Sequence, residues 1–382
     1  MTAAAASPSP PAPLSPAACP VLVVKVGSAL LVAPDGTVRR DWLASLVADI
    51  AARIADGQRV VIVSSGAIAL GARRLGLPKG GRASLEDAQA AAATGQIALS
   101  QCWAELLGAH TITAAQMLVT LDDLEDRRRF LNASATLRRL IALGVVPVIN
   151  ENDSVATEEI RFGDNDRLAA RIAQAAGAGG VVLLSDVDGL YTTNPKNDPD
   201  ARLVESVARI DARIRAMADG GSASGMGSGG MLSKLEAARI ATSAGAHLAI
   251  ANGTHDHPLD RLAQGGRCTV FTAGKLGKGR KLWLAGRMTA RGRIVVDAGA
   301  AAALAKGSSL LAAGATAVEG RFARGDVVEI ATINGETIAR GLSEYDATDA
   351  ARITGLRSDA IAEILGHAPR SALVHRDQMV LL

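Results

Sequence analysis

Short apolar runs alternate with longer stretches of helical periodicity from residue 21 to about residue 271. The runs 21–26, 59–64, 111–116, 145–149, 181–185 and 247–251 are rich in β-branched residues and predict strands. Between the first two, Asp41 is placed to cap a helix whose Leu43, Leu46, Val47, Ile50 and Ile54 share one face, and Gly57 suits its C-terminal end. That is a β-α-β unit. Its repetition predicts a largely parallel sheet with helices on both faces and ligands beyond the carboxyl ends of the strands. Polar clusters stand at those ends: Ser64-Ser65-Gly66-Ala67, Asn150-Glu-Asn-Asp153 and Asp186-Val-Asp188-Gly189. Past residue 282 the rhythm changes to alternating strands, including 293–297 and 327–333. Asn334-Gly335 then predicts a two-residue hairpin into 336–340. A second, smaller, β-rich domain follows the first.

One position breaks the apolar pattern of the first strand. Lys25 ends the run Val21-Leu-Val-Val-Lys25-Val-Gly27-Ser28, directly before a glycine turn. A lysine in a buried-strand pattern needs an anionic partner, and Gly27 lets main-chain N–H groups approach such an anion. Taken alone, Lys25 also fits a surface charge or an ion pair at the core edge. Farther on, Ser224-Gly-Met-Gly-Ser-Gly-Gly230-Met-Leu-Ser-Lys234 joins a glycine-rich loop to a helix carrying Lys234, Leu235, Ala238 and Ala241. A helix N-terminus of that kind offers free N–H groups to phosphate. Two lysines and two glycine turns together point to a nucleoside triphosphate. Gly225-x-Gly227-x-x-Gly230 matches the dinucleotide fingerprint literally, but no strand directly precedes it, and no G-x-x-x-x-G-K-[ST] occurs in the chain.

Composition narrows the class. With 382 residues the chain exceeds one average domain, and 48% hydrophobic with 21% charged residues is a folded soluble composition. The first 20 residues hold six Pro, seven Ala and no charge, which predicts a disordered extension rather than a signal peptide. No later run has the continuity of a membrane span, so the expectation is a cytoplasmic protein without membrane contact. Cys19, Cys102 and Cys268 are too far apart for a zinc or disulfide pattern. His255-Asp-His257 lacks a third matched ligand and reads as a loop. Net charge is only +3, yet residues 275–296 hold seven basic side chains and no acid from Lys275 to Arg293, which fits a linker, an intersubunit contact or a nucleic-acid contact.

The segments Val23-Val-Lys25-Val-Gly27-Ser28, Val63-Ser-Ser65-Gly66-Ala67-Ile68, Val148-Ile-Asn-Glu-Asn-Asp153, Phe162-Gly-Asp164-Asn165-Asp166, Ser185-Asp186-x-x-Gly189-Leu190-Tyr191 and Gly229-Gly-Met231-x-x-Lys234 follow one another in a specific order. In that order they resemble the amino acid kinase family and, within it, the glutamate 5-kinases that carry a C-terminal PUA domain. The likeness spans about residues 21–380. Departures are slight: Ser28 and Ser185 stand where threonine is common, keeping a hydroxyl, and Arg161 where lysine is found.

The resemblance implies a three-layer α/β/α sandwich on a mainly parallel sheet, followed by a small β-rich PUA domain. Its expected boundaries are a disordered extension 1–20, a kinase domain 21–271, a basic linker 272–289, a PUA domain 290–369 and a tail 370–382. It also implies transfer of the ATP γ-phosphoryl group to the side-chain carboxylate of L-glutamate. Lys25, Lys234 and Asp166 would be catalytic, with Asp166 holding the two ammonium groups. By itself Asp166 reads equally as a helix cap. Ser65, Gly66, Asp153, Asp164 and Asn165 would bind glutamate. ATP would meet Lys25, Gly27, Ser28, Ser185, Asp186, Ser228, Gly229, Gly230, Met231, Leu232, Ser233 and Lys234, with Mg²⁺ carried by the nucleotide and no protein ligand assigned. Further implied partners are proline as feedback inhibitor, a second copy of the chain in a dimer or tetramer, and glutamyl phosphate reductase. RNA binding through the PUA domain is a competing function, although 2% aromatic content offers few stacking platforms for bases. An acetylglutamate, aspartate or carbamate kinase is disfavoured by the paired Asn-Glu-Asn-Asp153 and Gly-Asp-Asn-Asp166 segments.

Overall fold

The computed structural model describes residues 13–155, 164–195, 197–219, 230–274, 290–366, 370 and 372–382. It separates into two compact units, one of Met1–Leu124 with Ala133–Lys275 and one of Glu125–Asn132 with Leu276–Leu382.

The first unit is built on a sheet of β1 (Val21–Val26), β2 (Arg59–Ser64), β3 (Ala114–Val119), β4 (Val146–Glu151), β5 (Gly180–Ser185), β6 (Ser206–Val207), β7 (His247–Asn252) and β8 (Cys268–Phe271), in the order β3-β4-β2-β1-β5-β7-β8-β6. The pairs from β3 through β7 are parallel, as the β-α-β rhythm predicts. β8 runs antiparallel to β7. The third predicted strand lies three residues later than expected. Its β-branched start is consumed by the turn ending the preceding helix, where Thr111 takes a φ of +59°.

Alternation along the strands decides where chemistry can occur. In β1, Leu22, Val24 and Val26 enter one large apolar cluster. Helices α1 (Ser28–Leu31), α2 (Arg40–Ala55), α3 (Ala67–Leu75) and α4 (Leu85–Gly108) supply the rest of that layer through residues such as Leu31, Leu43, Leu46, Ile50, Leu70, Leu99 and Trp103. Lys25 has the opposite parity and points to the other face. On that face, after α5 (Leu121–Glu125) and α6 (Arg127–Ala142) in the chain, α7 (Asp164–Ala176) packs against β1 and β5 and against α9 (Met231–Ser243), which follows α8 (Ala212–Asp219). Asp41 does not cap α2. The N-cap is Arg39, and Asp41 lies in the first turn, where a carboxylate still favours the helix dipole. Gly57, with φ of +87°, ends the helix as expected.

Two of the expected boundaries fail. The extension 1–20 is not wholly outside the fold, because Leu14 and Cys19 are buried in the main core. Arg53 Nη1 donates to the Leu14 carbonyl at 3.2 Å and Gln58 Nε2 to the Cys19 carbonyl at 2.6 Å. A Cβ on Gly180 would come within 2.4 Å of Leu14 Cδ2, so the glycine makes room for this segment. Burial pushes the Cys19 thiol up to about 11. The tail 370–382 also fails as a tail, since most of it is a paired strand.

That strand, β13 (Val374–Leu381), joins β9 (Gly292–Val296), β10 (Ala315–Gly320), β11 (Val327–Thr332) and β12 (Thr337–Ser343) in the order β10-β9-β11-β12-β13. Period-two alternation buries Ile294, Val296, Val328, Ile330 and Ala339 in the second unit's own core. The predicted hairpin exists, but its loop has three residues, 333–335. Gly335 N donates to the Thr332 carbonyl and Thr332 N to the Glu336 carbonyl, with Gly335 left-handed at +85° and a register shift after Ile330. A turn followed by a left-handed glycine bulge replaces the expected two-residue turn. Leu131 belongs to this unit and packs with Val327, Leu342 and Val380. Most of the basic stretch 275–296 lies outside the described residues. Arg293 within it pairs with Glu329 at 3.1 Å.

Candidate active site

The carboxyl ends of β1 and β5 lie where the chain turns to opposite sides of the sheet, a position at which parallel sheets leave a crevice. Lys25 reaches this edge from β1, Lys234 from the first turns of α9, and Asp166 from the first turn of α7. Lys25 Nζ stands 2.7 Å from Asp166 Oδ1, and Lys234 Nζ donates to Asp166 Oδ2 at 3.0 Å. All three groups are buried, at 7%, 4% and 0% exposure. Asp166 therefore bridges two ammonium groups instead of capping its helix.

Electrostatics in this trio do not balance. Burial pushes the Lys25 ammonium below its ordinary value, Asp166 offsets that in part, and Lys234 depresses it further. Burial also pushes the Asp166 carboxyl upward. The two lysines together outweigh that effect, so the carboxyl ends below the usual carboxylate range. Two ammonium groups share one carboxylate in direct contact, with the Asp186 charge acting on Lys25 as well, an arrangement that favours a further anion near by.

The glycine turns serve different purposes. Gly27 has an ordinary φ of −72°, and a Cβ there would make an ordinary contact, 3.7 Å from Lys25 Nζ. Ser28 opens α1. Gly66 adopts φ of +108° at the N-cap of α3, and a Cβ would press within 3.2 Å of Leu31 and Val32 side chains. It is needed for both backbone and packing. Gly230 is the N-cap of α9, so Met231, Leu232 and Ser233 form the first turn before Lys234, with Leu232 exposed and the other two half-buried. Ser228 and Gly229 lie outside the described residues. At the end of β5 Ser185 Oγ donates to Asp186 Oδ1 at 3.0 Å, and the Asp186 charge acts on Lys25.

A second group gathers at the ends of β2 and β4. Asn165 Nδ2 donates to Ser65 Oγ at 2.7 Å and to Asn150 Oδ1 at 3.2 Å, while Asn165 Oδ1 is buried with no hydrogen-bond partner. Asp153 is also buried, and its charge acts on Arg82. The side chain of Asp164 lies outside the described residues. The expected residues thus divide into two neighbouring sets joined through consecutive residues of α7, with Asn165 facing one and Asp166 the other. Asn150 and Arg82 were not expected to take part. Asn150 lay inside a recognised segment without a role of its own, and nothing in the sequence around Arg82 marks it. Among the described residues no three His, Cys, Asp or Glu side chains are grouped to hold a metal ion.

The chain also matches known families and proteins. The sequence model of the amino acid kinase family matches residues 20–252, and that of the PUA domain matches residues 292–365. A glutamate 5-kinase from Sphingopyxis alaskensis is 69% identical over 367 residues, covering 96% of this chain and 99% of that protein. Glutamate 5-kinases from Zymomonas mobilis subsp. mobilis and Novosphingobium aromaticivorans are 61% and 62% identical, over 96% and 95% of this chain and 92% and 96% of their own.

Proposed function

We propose that this chain, which belongs to the amino acid kinase family and within it to the glutamate 5-kinase group with a C-terminal PUA domain, transfers the γ-phosphoryl group of ATP to the side-chain carboxylate of L-glutamate. The product is L-glutamyl 5-phosphate, the first intermediate of proline synthesis. The observation that carries the reading is the buried Lys25–Asp166–Lys234 trio, two ammonium groups on one carboxylate at the sheet edge.

The chemistry asks little of acids and bases. A glutamate carboxylate with a pKa near ~4.3 is already ionised at neutral pH, so the acceptor needs no general base. The difficulty is to bring two anions into line against their repulsion. Lys25 and Lys234 offset the charge that spreads over the transferring group, and Asp166 holds the two ammonium groups in place. Gly27, Ser28 and the N-terminus of α9 from Gly230 to Ser233 receive the phosphates, with Ser185 and Asp186 on the nucleotide side. Carried by the triphosphate, Mg²⁺ would supply further charge compensation there, no group of described carboxylates being placed to hold it. The set formed by Ser65, Gly66, Asp153 and Asn165 receives glutamate, the acceptors Asp153 and Asn165 Oδ1 suiting its ammonium group.

The decisive test supplies purified protein with ATP and Mg²⁺ and a panel of L-glutamate, L-aspartate, N-acetylglutamate and carbamate, trapping the acyl phosphate with hydroxylamine. Turnover with glutamate alone is expected. Preference for another acid would overturn the assignment of substrate. Within that assay, Asp153→Ala and Asn165→Ala are each expected to raise the glutamate KM by about tenfold or more, the cost of a lost bond to a charged group, and to leave the ATP KM within about twofold. A selective rise in the ATP KM would mean that the two pockets are exchanged.

A second reading rests on the PUA match at residues 292–365. RNA contact through that domain requires affinity that falls with salt as phosphate contacts release counterions. Binding that is insensitive to salt would remove it.

A further inference from the structure

The amino-acid set is wired to helix α4 by two buried amides. α4 comes close because Gly71 of α3 and Gly95 of α4 meet backbone to backbone. A Cβ on Gly95 would sit 1.8 Å from the Ala67 carbonyl oxygen, and one on Gly71 would sit 1.8 Å from that of Ala91. Ala67 directly follows Ser65 and Gly66, so this crossing lies under the end of β2. Trp103 of the same helix donates its Nε1 to Ser64 Oγ at 2.9 Å. The crossing places Gln96, itself 9% exposed, beside Asn150 at the end of β4.

The bonds that follow have a direction. Ser100 Oγ donates its proton to the Gln96 carbonyl at 2.8 Å, which leaves the hydroxyl oxygen to accept from Gln96 Nε2 at 3.2 Å. Gln96 Oε1 must then face the other way, where it accepts from Asn150 Nδ2 at 2.8 Å. Asn150 in turn offers Oδ1, not its amide nitrogen, to Asn165 Nδ2. Asn165 spends its donors on Asn150 and Ser65, and its own Oδ1 is the buried oxygen without a partner. Reversing any amide in the series would set donor against donor or acceptor against acceptor, so one hydroxyl fixes the sense of every member.

We infer that Gln96 is a positioning residue for the amino-acid substrate: through Asn150 it locks the side-chain amide of Asn165 so that Oδ1 faces the α-ammonium group. This rests on the proposed use of glutamate. Gln96 does not itself touch the substrate. Its effect is confined to the part of the acceptor that carries the ammonium, which separates it from a merely structural role.

The experiment compares L-glutamate with glutarate, which has both carboxylates and no amino group, in the full-length enzyme. Gln96→Met removes the amide at nearly constant length. It is expected to raise the glutamate KM by about tenfold, within the range for one misdirected bond to a charged group, while the ATP KM and the kcat/KM for glutarate stay within about twofold. The preference for glutamate over glutarate therefore falls by about tenfold. Gln96→Glu keeps an acceptor for Asn150 and is expected to restore most of that preference. If Gln96→Met does not fold, Ser100→Ala must lower the same preference, by a smaller factor, because the amide of Gln96 is then free to turn. Equal losses on glutamate and glutarate, or an unchanged preference in a folded variant, would overturn the inference alone. A wild-type enzyme with no glutamate-dependent turnover would overturn the function on which it rests, and the inference with it.

Discussion

Lys25→Ala and Lys234→Ala are each expected to give a folded protein whose kcat is lower by about 10²–10³, the usual loss when one charge is removed from the developing transition state. Folding survives because the remaining lysine still pairs with Asp166, leaving a neutral buried couple in place of the charged trio. The KM for ATP should change less than kcat, since most of the lysine's attraction is realised as charge moves between the two oxygen atoms rather than in the resting complex. The two variants are expected to be unequal. Lys25 is fixed on a central strand between β2 and β5, whereas Lys234 rides on helix α9, whose N-terminus is proposed to receive the phosphates. Steady-state rates at saturating ATP and glutamate, beside a denaturation curve for each variant, check both statements. Turnover near the wild-type level would remove that lysine from the mechanism.

Asp166→Asn should have the larger effect on stability. It strips the only carboxylate in direct contact with Lys25 and Lys234 among their described ion pairs, and leaves two buried ammonium groups facing one another. Breaking a buried pair by removing one partner costs about 3–5 kcal/mol, a large share of the stability of an ordinary domain. The loss must depend on pH. Lys25 already lies below its ordinary value through burial, and without Asp166 it falls further. Between that lowered value and the unfolded value the unfolded chain binds more protons, so the variant gains stability as pH rises through the window. Urea midpoints at about pH 7 and about pH 9.5 should converge on wild type at the higher value. A variant as stable as wild type at neutral pH would show that Asp166 does not hold the two lysines. Added ATP should recover part of the loss, because the triphosphate supplies the missing negative charge.

Much of this was legible in the sequence because the sheet is simple. In β1 a single lysine of wrong parity signals a buried charge, and its partners had to come from helices covering that face. Ser65-Gly66 and Asp186 could be placed because they end strands that the β-branched runs delimit. Other parts had no local signature. The strand 268–271 looks like any short apolar run, and its antiparallel direction is fixed only by pairing with β7. Leu14 and Cys19 were hidden by a Pro/Ala-rich background that offers no periodicity, although the room made for them at Gly180 is unmistakable in three dimensions. Gln96 was invisible for a related reason. On a long helix that also carries Gln89 and Gln101 a glutamine reads as surface, and the approach of Gly95 to Ala67 turns Gln96 inward. Asp166 was ambiguous between cap and bridge until both lysines converged on it.

That glycine crossing also affects how mutational tolerance should be read in this enzyme. A scan of every substitution would score Gly71 and Gly95 among the least tolerant positions, beside Lys25 and Asp166, although neither glycine meets a reacting atom. Each side chain larger than hydrogen collides with main chain that has no rotamer to yield, so compensation from a second site is barred as well. Directed evolution toward other acceptor acids would have to leave α3 and α4 docked as they are. Variation would be confined to side chains that line the pocket, and to the orientation of the amides behind it.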